Sequence, residues 1–270
     1  MDILAYFATQ SPITDPGDKS GLYSDVPKTA PEICQVIQGL LLDYRERYKY
    51  PIVNERFLMT NSRYAQAILK NIVSLDKKNP LTVARPEADR FTASSSDYAC
   101  LFCSMARHNG IPARKRVGFL AQEDGTYLSL DIAEYYDGGW KQVGVDAAQF
   151  MSAAQAWQAC RAGKICPEQF RDEEHKGLEV VRNNLILDVA AMNKMELLNW
   201  DRYGWMMRPF ADFSDKAWAI LDKAAELLLA GDGALEELQA LYNGEEGIQV
   251  PRVIKCDTPL VPPHKVELTF

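Results

Sequence analysis

Histidine is scarce in this chain, with three in 270 residues, at positions 108, 175 and 264. Imidazole acid–base chemistry is therefore confined to those three places. Long apolar runs are missing too: nothing approaches the roughly 18 uninterrupted residues of a membrane-spanning helix. Runs such as Leu40-Leu41-Leu42 and Leu227-Leu228-Leu229 are broken by charges at helical spacing, and no membrane partner is expected. The opening Met1-Asp2-Ile3-Leu4-Ala5-Tyr6-Phe7 has neither a basic start nor a long apolar core, so no secretory leader is expected. Positive charge is not in excess. Thirty Lys and Arg stand against 37 Asp and Glu, a net charge of −7, which argues against a polyanion binder and leaves nucleic acid an unexpected partner.

Cysteine is equally uninformative as a framework. Six in a chain of this length, without secretion, read as reduced thiols in a cytoplasmic protein. Cys100 and Cys103 form a C-x-x-C, but no second pair follows at zinc-ribbon spacing. Both fall inside an expected helix, where packing is the commoner role. Neither a metal nor a cofactor is expected.

What is present is an ordinary globular composition, 47% hydrophobic and 25% charged, in a chain long enough for a substantial core. Residues 8–31 read as an irregular arm. Ile33, Val36, Ile37, Leu40, Leu41 and Tyr44 recur at helical spacing and predict a helix from Pro31 to about Tyr48. A second helix is expected from Arg63 to Leu75, and a loop over residues 80–93. The central helix begins within Ser94–Asp97 and ends before Gly110-Ile111-Pro112, where glycine and proline stop it. Strands are expected over Lys115–Ala121, Thr126–Tyr136 and Trp140–Val145, joined by short turns and so antiparallel. Residues 150–243 read as mainly helical, and the proline-bearing tail from Val250 as extended. The organisation expected is 1–93 arm and helices, 94–149 core, and 150–270 a helical portion compact with the core.

The central segment carries the chemistry-bearing pattern. It reads Ser94-Ser95-Ser96-Asp97-Tyr98-Ala99, then Arg107-His108-Asn109-Gly110-Ile111-Pro112-Ala113-Arg114, Leu130-Asp131-Ile132-Ala133-Glu134, and Trp140-Lys141-Gln142-Val143-Gly144-Val145-Asp146. This resembles the transglutaminase-like superfamily, in which G-x-C-x-D-[FY]-A opens a helix closed by R-x-x-G-[IV]-P-A-R. Two strands follow in that family, bearing H-x-x-x-E and W-x-x-V-D. The segments Ala156–Gly163, Arg182–Leu185 and Asp188–Asp201 extend the resemblance into a bacterial branch of the superfamily.

The resemblance implies an α+β, transglutaminase- or papain-like fold, with a helix packed on an antiparallel sheet. It places Ser95 at the nucleophile position, Leu130 at the histidine position and Asp146 at the acid position. A Cys-His-Asp site needs the imidazole to deprotonate the thiol and the carboxylate to orient the ring. Serine depends more heavily on such a base, and leucine supplies none. Candidate catalytic residues are therefore Ser95, Glu134 and Asp146, with Asp97, Leu130 and Trp140 as candidate substrate-binding residues. Each also has a plain structural role open to it: Ser95 as a helix cap, Asp97 as a partner of the helix dipole, Glu134 as a solvated strand carboxylate, Asp146 bonded to a backbone amide or an arginine. Arg114, Lys115 and Arg116 read as a solvated strand edge. The polar, aromatic cluster Asn193–Trp205 reads as structural, or as a pocket wall. Two functions fit. One is a repurposed enzyme acting on a small amide, ester or thioester in specialised metabolism. The other is a non-catalytic ligand-binding or scaffold pseudoenzyme.

Overall fold

A computed structural model describes residues 1–50 and 52–269 of the chain. The fold is α+β, with two compact units: residues 2–115 with 132–144, and residue 1 with 116–131 and everything from Val145 onward.

The first unit is built on α1 (Ile3–Ala8), α2 (Ala30–Leu40), β1 (Leu41–Asp43), α3 (Ala65–Leu75), β2 (Phe91–Ala93), α4 (Ser95–His108), the first three residues of β3 (Ala113–Ala121), the last five of β4 (Tyr127–Tyr136), and β5 (Trp140–Gln142). Helices α1, α2 and α3 all pack on α4. That helix is accordingly buried almost all round, through Ala99, Cys100, Leu101, Phe102, Cys103, Met105 and Ala106. Apolar side chains on every face make a core helix rather than an amphipathic surface one. It stops at Gly110, whose φ of 73° turns the chain so that Ile111 N–H reaches Ala106 O at 2.9 Å, and Pro112 blocks continuation. Arg107 then ties the exit, donating from Nε to Ala113 O at 3.0 Å and from Nη1 to Thr14 Oγ1 at 2.8 Å.

Three expectations fail here. The first helix ends at Leu40, not Tyr48, because Leu41–Asp43 pair in parallel with Phe91–Ala93. The same pairing puts strand β2 inside the region expected to be loop. The segment 8–31, expected to be irregular, holds the short 3₁₀ helix Gly17–Tyr23 and buries Ile13, Thr14 and Tyr23. Tyr23 OH lies 2.7 Å from Ser104 Oγ of α4, which fastens that segment to the core helix.

The second unit carries the rest of β3 and β4, β6 (Phe150–Ser152), α5 (Ala153–Arg161), β7 (Phe170–Arg171), α6 (Leu178–Met192), β8 (Asp201–Arg202), α7 (Asp215–Ala230), α8 (Leu235–Gly244), β9 (Val253–Cys256) and β10 (His264–Glu267). Strand β6 pairs antiparallel with β3 in the register Gly118↔Ser152, and β7 pairs parallel with β4 in the register Tyr127↔Phe170. A side chain at position 118 would meet Met151 O at 2.3 Å, so only glycine permits that approach. Helices α5, α6 and α7 pack on one another around the fully buried Trp157. In the tail, β9 pairs antiparallel with β10 and with β8, giving the order β10-β9-β8.

Candidate functional site

The start of α4 is organised by Ser94 and Asp97. Ser94 has an extended backbone and caps the helix, and Asp97 three residues on completes a reciprocal capping box. Asp97 Oδ2 accepts both the Ser94 N–H at 2.7 Å and the Ser94 hydroxyl at 2.8 Å. The cap thus falls one residue before the expected Ser95, which stands half-buried as the first helical residue. Asp97 is wholly buried, and its second oxygen, Oδ1, has no hydrogen-bond partner. Burial pushes its carboxyl up to about 7, against the two Ser94 bonds and the nearby Lys115 and Arg63, which favour the charge.

Glu134 and Trp140 are brought together by Arg114. The Arg114 Nε donates to Glu134 Oε2 at 2.8 Å, with both side chains about nine-tenths buried. The guanidinium lies 3.8 Å from the Trp140 ring centroid and 5.6 Å from that of Phe7. Phe7 in turn meets Trp140 edge-on at 5.5 Å. A planar cation between an aromatic face and a carboxylate uses each part of the guanidinium. Glu134, a candidate catalytic residue with a solvated carboxylate as its plain alternative, is buried: strand pairing sets it opposite Gln142 and beside this cation.

Leu130 and Asp146 belong to the second unit. Leu130 is half-buried on β4, and Asp146 is exposed, its Oδ1 accepting the Ala148 N–H at 3.0 Å in a local turn. The histidines serve elsewhere. His108, in the last turn of α4, packs its ring against Tyr23 at 5.2 Å. His175 faces Asp172 at 3.3 Å, and His264 Nδ1 faces Pro262 O at 3.1 Å. Cys100 donates weakly to Ile13 O and Arg63 O at 3.8 and 3.6 Å, a packing role. Among the described residues, no three His, Cys, Asp or Glu side chains are grouped to hold a metal ion. No helix among them is long and apolar enough to cross a membrane.

The basic run read as a solvated edge is instead built into the structure. Arg114 and Lys115 are buried, and Arg116 in the second unit forms a fork with the fully buried Asp188, Nε to Oδ1 at 3.0 Å and Nη2 to Oδ2 at 2.8 Å. Asp188 also accepts the Val117 N–H at 2.8 Å, and Asn184 one turn earlier donates to Gly118 O at 3.0 Å and Ser129 Oγ at 2.9 Å. The available signal was helical spacing: Asn184 and Asp188 are four apart and face the same way. The Asn193–Trp205 cluster likewise shapes turns. Asn193 Nδ2 bonds back to Val189 O at 2.8 Å, Lys194 takes the left-handed position after α6 with φ 61°, and Asp201 Oδ2 accepts the Leu198 N–H at 3.0 Å.

Residues 56–163 match the core of the transglutaminase-like superfamily. No curated protein and no solved structure matches the chain. The stretch from the approach to α3 through the end of α5 is thus similar to a transglutaminase core, with serine at the head of its central helix.

Proposed function

We propose that this chain is a degenerate transglutaminase-like protein without Cys-His-Asp catalysis, using the inherited fold as a non-catalytic ligand-binding or scaffold protein. One observation carries the reading: in the unit that bears Ser95, the acid–base candidates Asp97, Glu134 and His108 each have another structural role or place. Asp97 is taken up by the Ser94 cap and Glu134 by Arg114. His108 sits at the opposite end of α4, about 20 Å along the axis from Ser95. A serine hydroxyl needs a neighbouring general base to act as a nucleophile.

A second reading, the repurposed enzyme acting on a small amide, ester or thioester, draws support from Asp97. A carboxyl titrating at about 7, two residues from the half-buried Ser95, has an acid–base range suited to catalysis. Under that reading Ser95 and Glu134 carry catalytic duty, with Asp97 and Trp140 toward the substrate. The two separate cleanly. The protein is incubated with a panel of activated esters, small amides and thioesters, with turnover followed by absorbance and adducts by intact mass. The pseudoenzyme reading expects no adduct and no turnover above that of Ser95→Ala. Turnover that disappears in Ser95→Ala establishes the enzyme instead.

A further inference from the structure

The capping box at the head of α4 is unusual in its burial. Most such carboxylates sit at the surface, where water satisfies the oxygen that the helix does not use. Here Asp97 is 0% exposed; Oδ2 takes both Ser94 donors and Oδ1 has no partner. An anionic oxygen buried without a donor is costly, and far more so than a neutral hydroxyl in the same place. Protonation of Oδ1 removes that cost while leaving Oδ2 free to accept from Ser94. The cap therefore survives the proton, and only the cost of burying the carboxyl changes.

We propose that the Ser94–Asp97 box is a proton-operated latch on the first turn of α4, closed while Asp97 holds a proton on Oδ1 and loosened when that proton leaves. The charged groups facing Asp97 are Lys115 at the start of β3 and Arg63 on the turn into α3, both favouring the anion. The adjacent Tyr98 faces Asp43, Glu46 and Arg90 from β1 and the segments around it. The two cations moderate the cost of burial without overcoming it. The turn that opens carries Ser95 and the amides of the helix head, so the latch governs their exposure. It holds whether the protein is catalytic or only binds.

The sign follows from linkage. The closed form keeps its proton up to about pH 7, whereas a solvated aspartate loses it near 3.8. Closing is thus strongest in acid, weakens about tenfold per pH unit between those values, and is constant above pH 7. The test is amide hydrogen exchange at Tyr98, whose N–H bonds Ser94 O across the latch, corrected for intrinsic rates. Protection in the wild type should fall by about 10–30-fold from pH 5.5 to 7 and then level off, while Asp97→Asn stays flat. A flat wild-type profile, or the same slope in Asp97→Asn, overturns the proposal. If Asp97→Asn does not fold, the carboxyl ¹³C titration of Asp97 in the wild type decides: a midpoint near 7 supports the latch, and one below about 5 overturns it.

Discussion

Arg114 sits over the Trp140 ring, its guanidinium carbon 3.8 Å from the ring centroid, and in the same pose donates to Glu134 at 2.8 Å. The stack fixes the plane of the guanidinium and the carboxylate fixes its rotation, so the two contacts should be energetically coupled. A double-mutant cycle of Trp140→Leu and Glu134→Gln, followed by urea unfolding, is expected to show a coupling of about 0.5–2 kcal/mol. Arg114→Lys should lose both the stacking and the directed Nε bond to Glu134, and so cost more than a charge-conserving change at an exposed arginine.

Ser94 and Ser95 are neighbours with different duties. Ser94→Ala removes the cap and one donor from a buried carboxylate that already has an unpartnered oxygen. A loss of about 1–3 kcal/mol is expected. Ser95→Ala, at the first helical position, should cost clearly less. Equal losses in the two variants, measured by urea midpoint, would move the cap back to Ser95.

How much of this was legible depended on the range of the interactions. Helix α4 was readable because its punctuation is local: Ser94 and Asp97 at one end, Gly110 and Pro112 at the other. Strands β3 to β5 were readable from their turn residues. Leu40-Leu41-Leu42 was not. A short apolar run suits helix or strand equally, and what decides is Phe91–Ala93, about fifty residues away. The same blindness hid the fate of Arg114, Lys115 and Arg116. A basic triplet reads as solvated until Glu134 and Asp188 are known to lie opposite its arginines. Ser95, Leu130 and Asp146 could be assigned only by resemblance, since no local pattern distinguishes a vacated nucleophile position from a helix start.

Asp188 should be the most sensitive carboxylate in the second unit. It is fully buried, and its two oxygens accept three bonds from Arg116 and Val117. Asp188→Ala removes the carboxylate fork from a guanidinium that is about nine-tenths buried, and a loss of about 3–5 kcal/mol is expected. The exposed pair Lys141–Asp137, by contrast, joins side chains that are 51% and 66% exposed. Asp137→Asn should leave the unfolding midpoint close to that of the wild type. The two unfolding curves, recorded in one buffer, check the contrast.

The cysteines supply the last test, because their environments differ while their chemistry does not. The thiolate is the reactive form, so reactivity follows both access and thiol pKa. Cys100, Cys103 and Cys256 are buried, Cys34 and Cys160 are half-buried, and Cys166 is exposed. Burial raises the Cys34 thiol, and burial followed by the proximity of Cys166 pushes Cys160 up to about 11. At pH 7.5 iodoacetamide should therefore alkylate Cys166 first and Cys34 and Cys160 slowly, leaving Cys100 and Cys103 unmodified until the protein unfolds. Raising the pH should speed Cys160, whose titration lies well above neutrality. Peptide mapping of a timed alkylation gives the order directly. Rapid, selective modification of Cys100 or Cys103 in the folded protein would mean that the central helix carries an activated thiol after all, displaced by one or two turns from Ser95. The pseudoenzyme reading would then give way to relocated thiol chemistry.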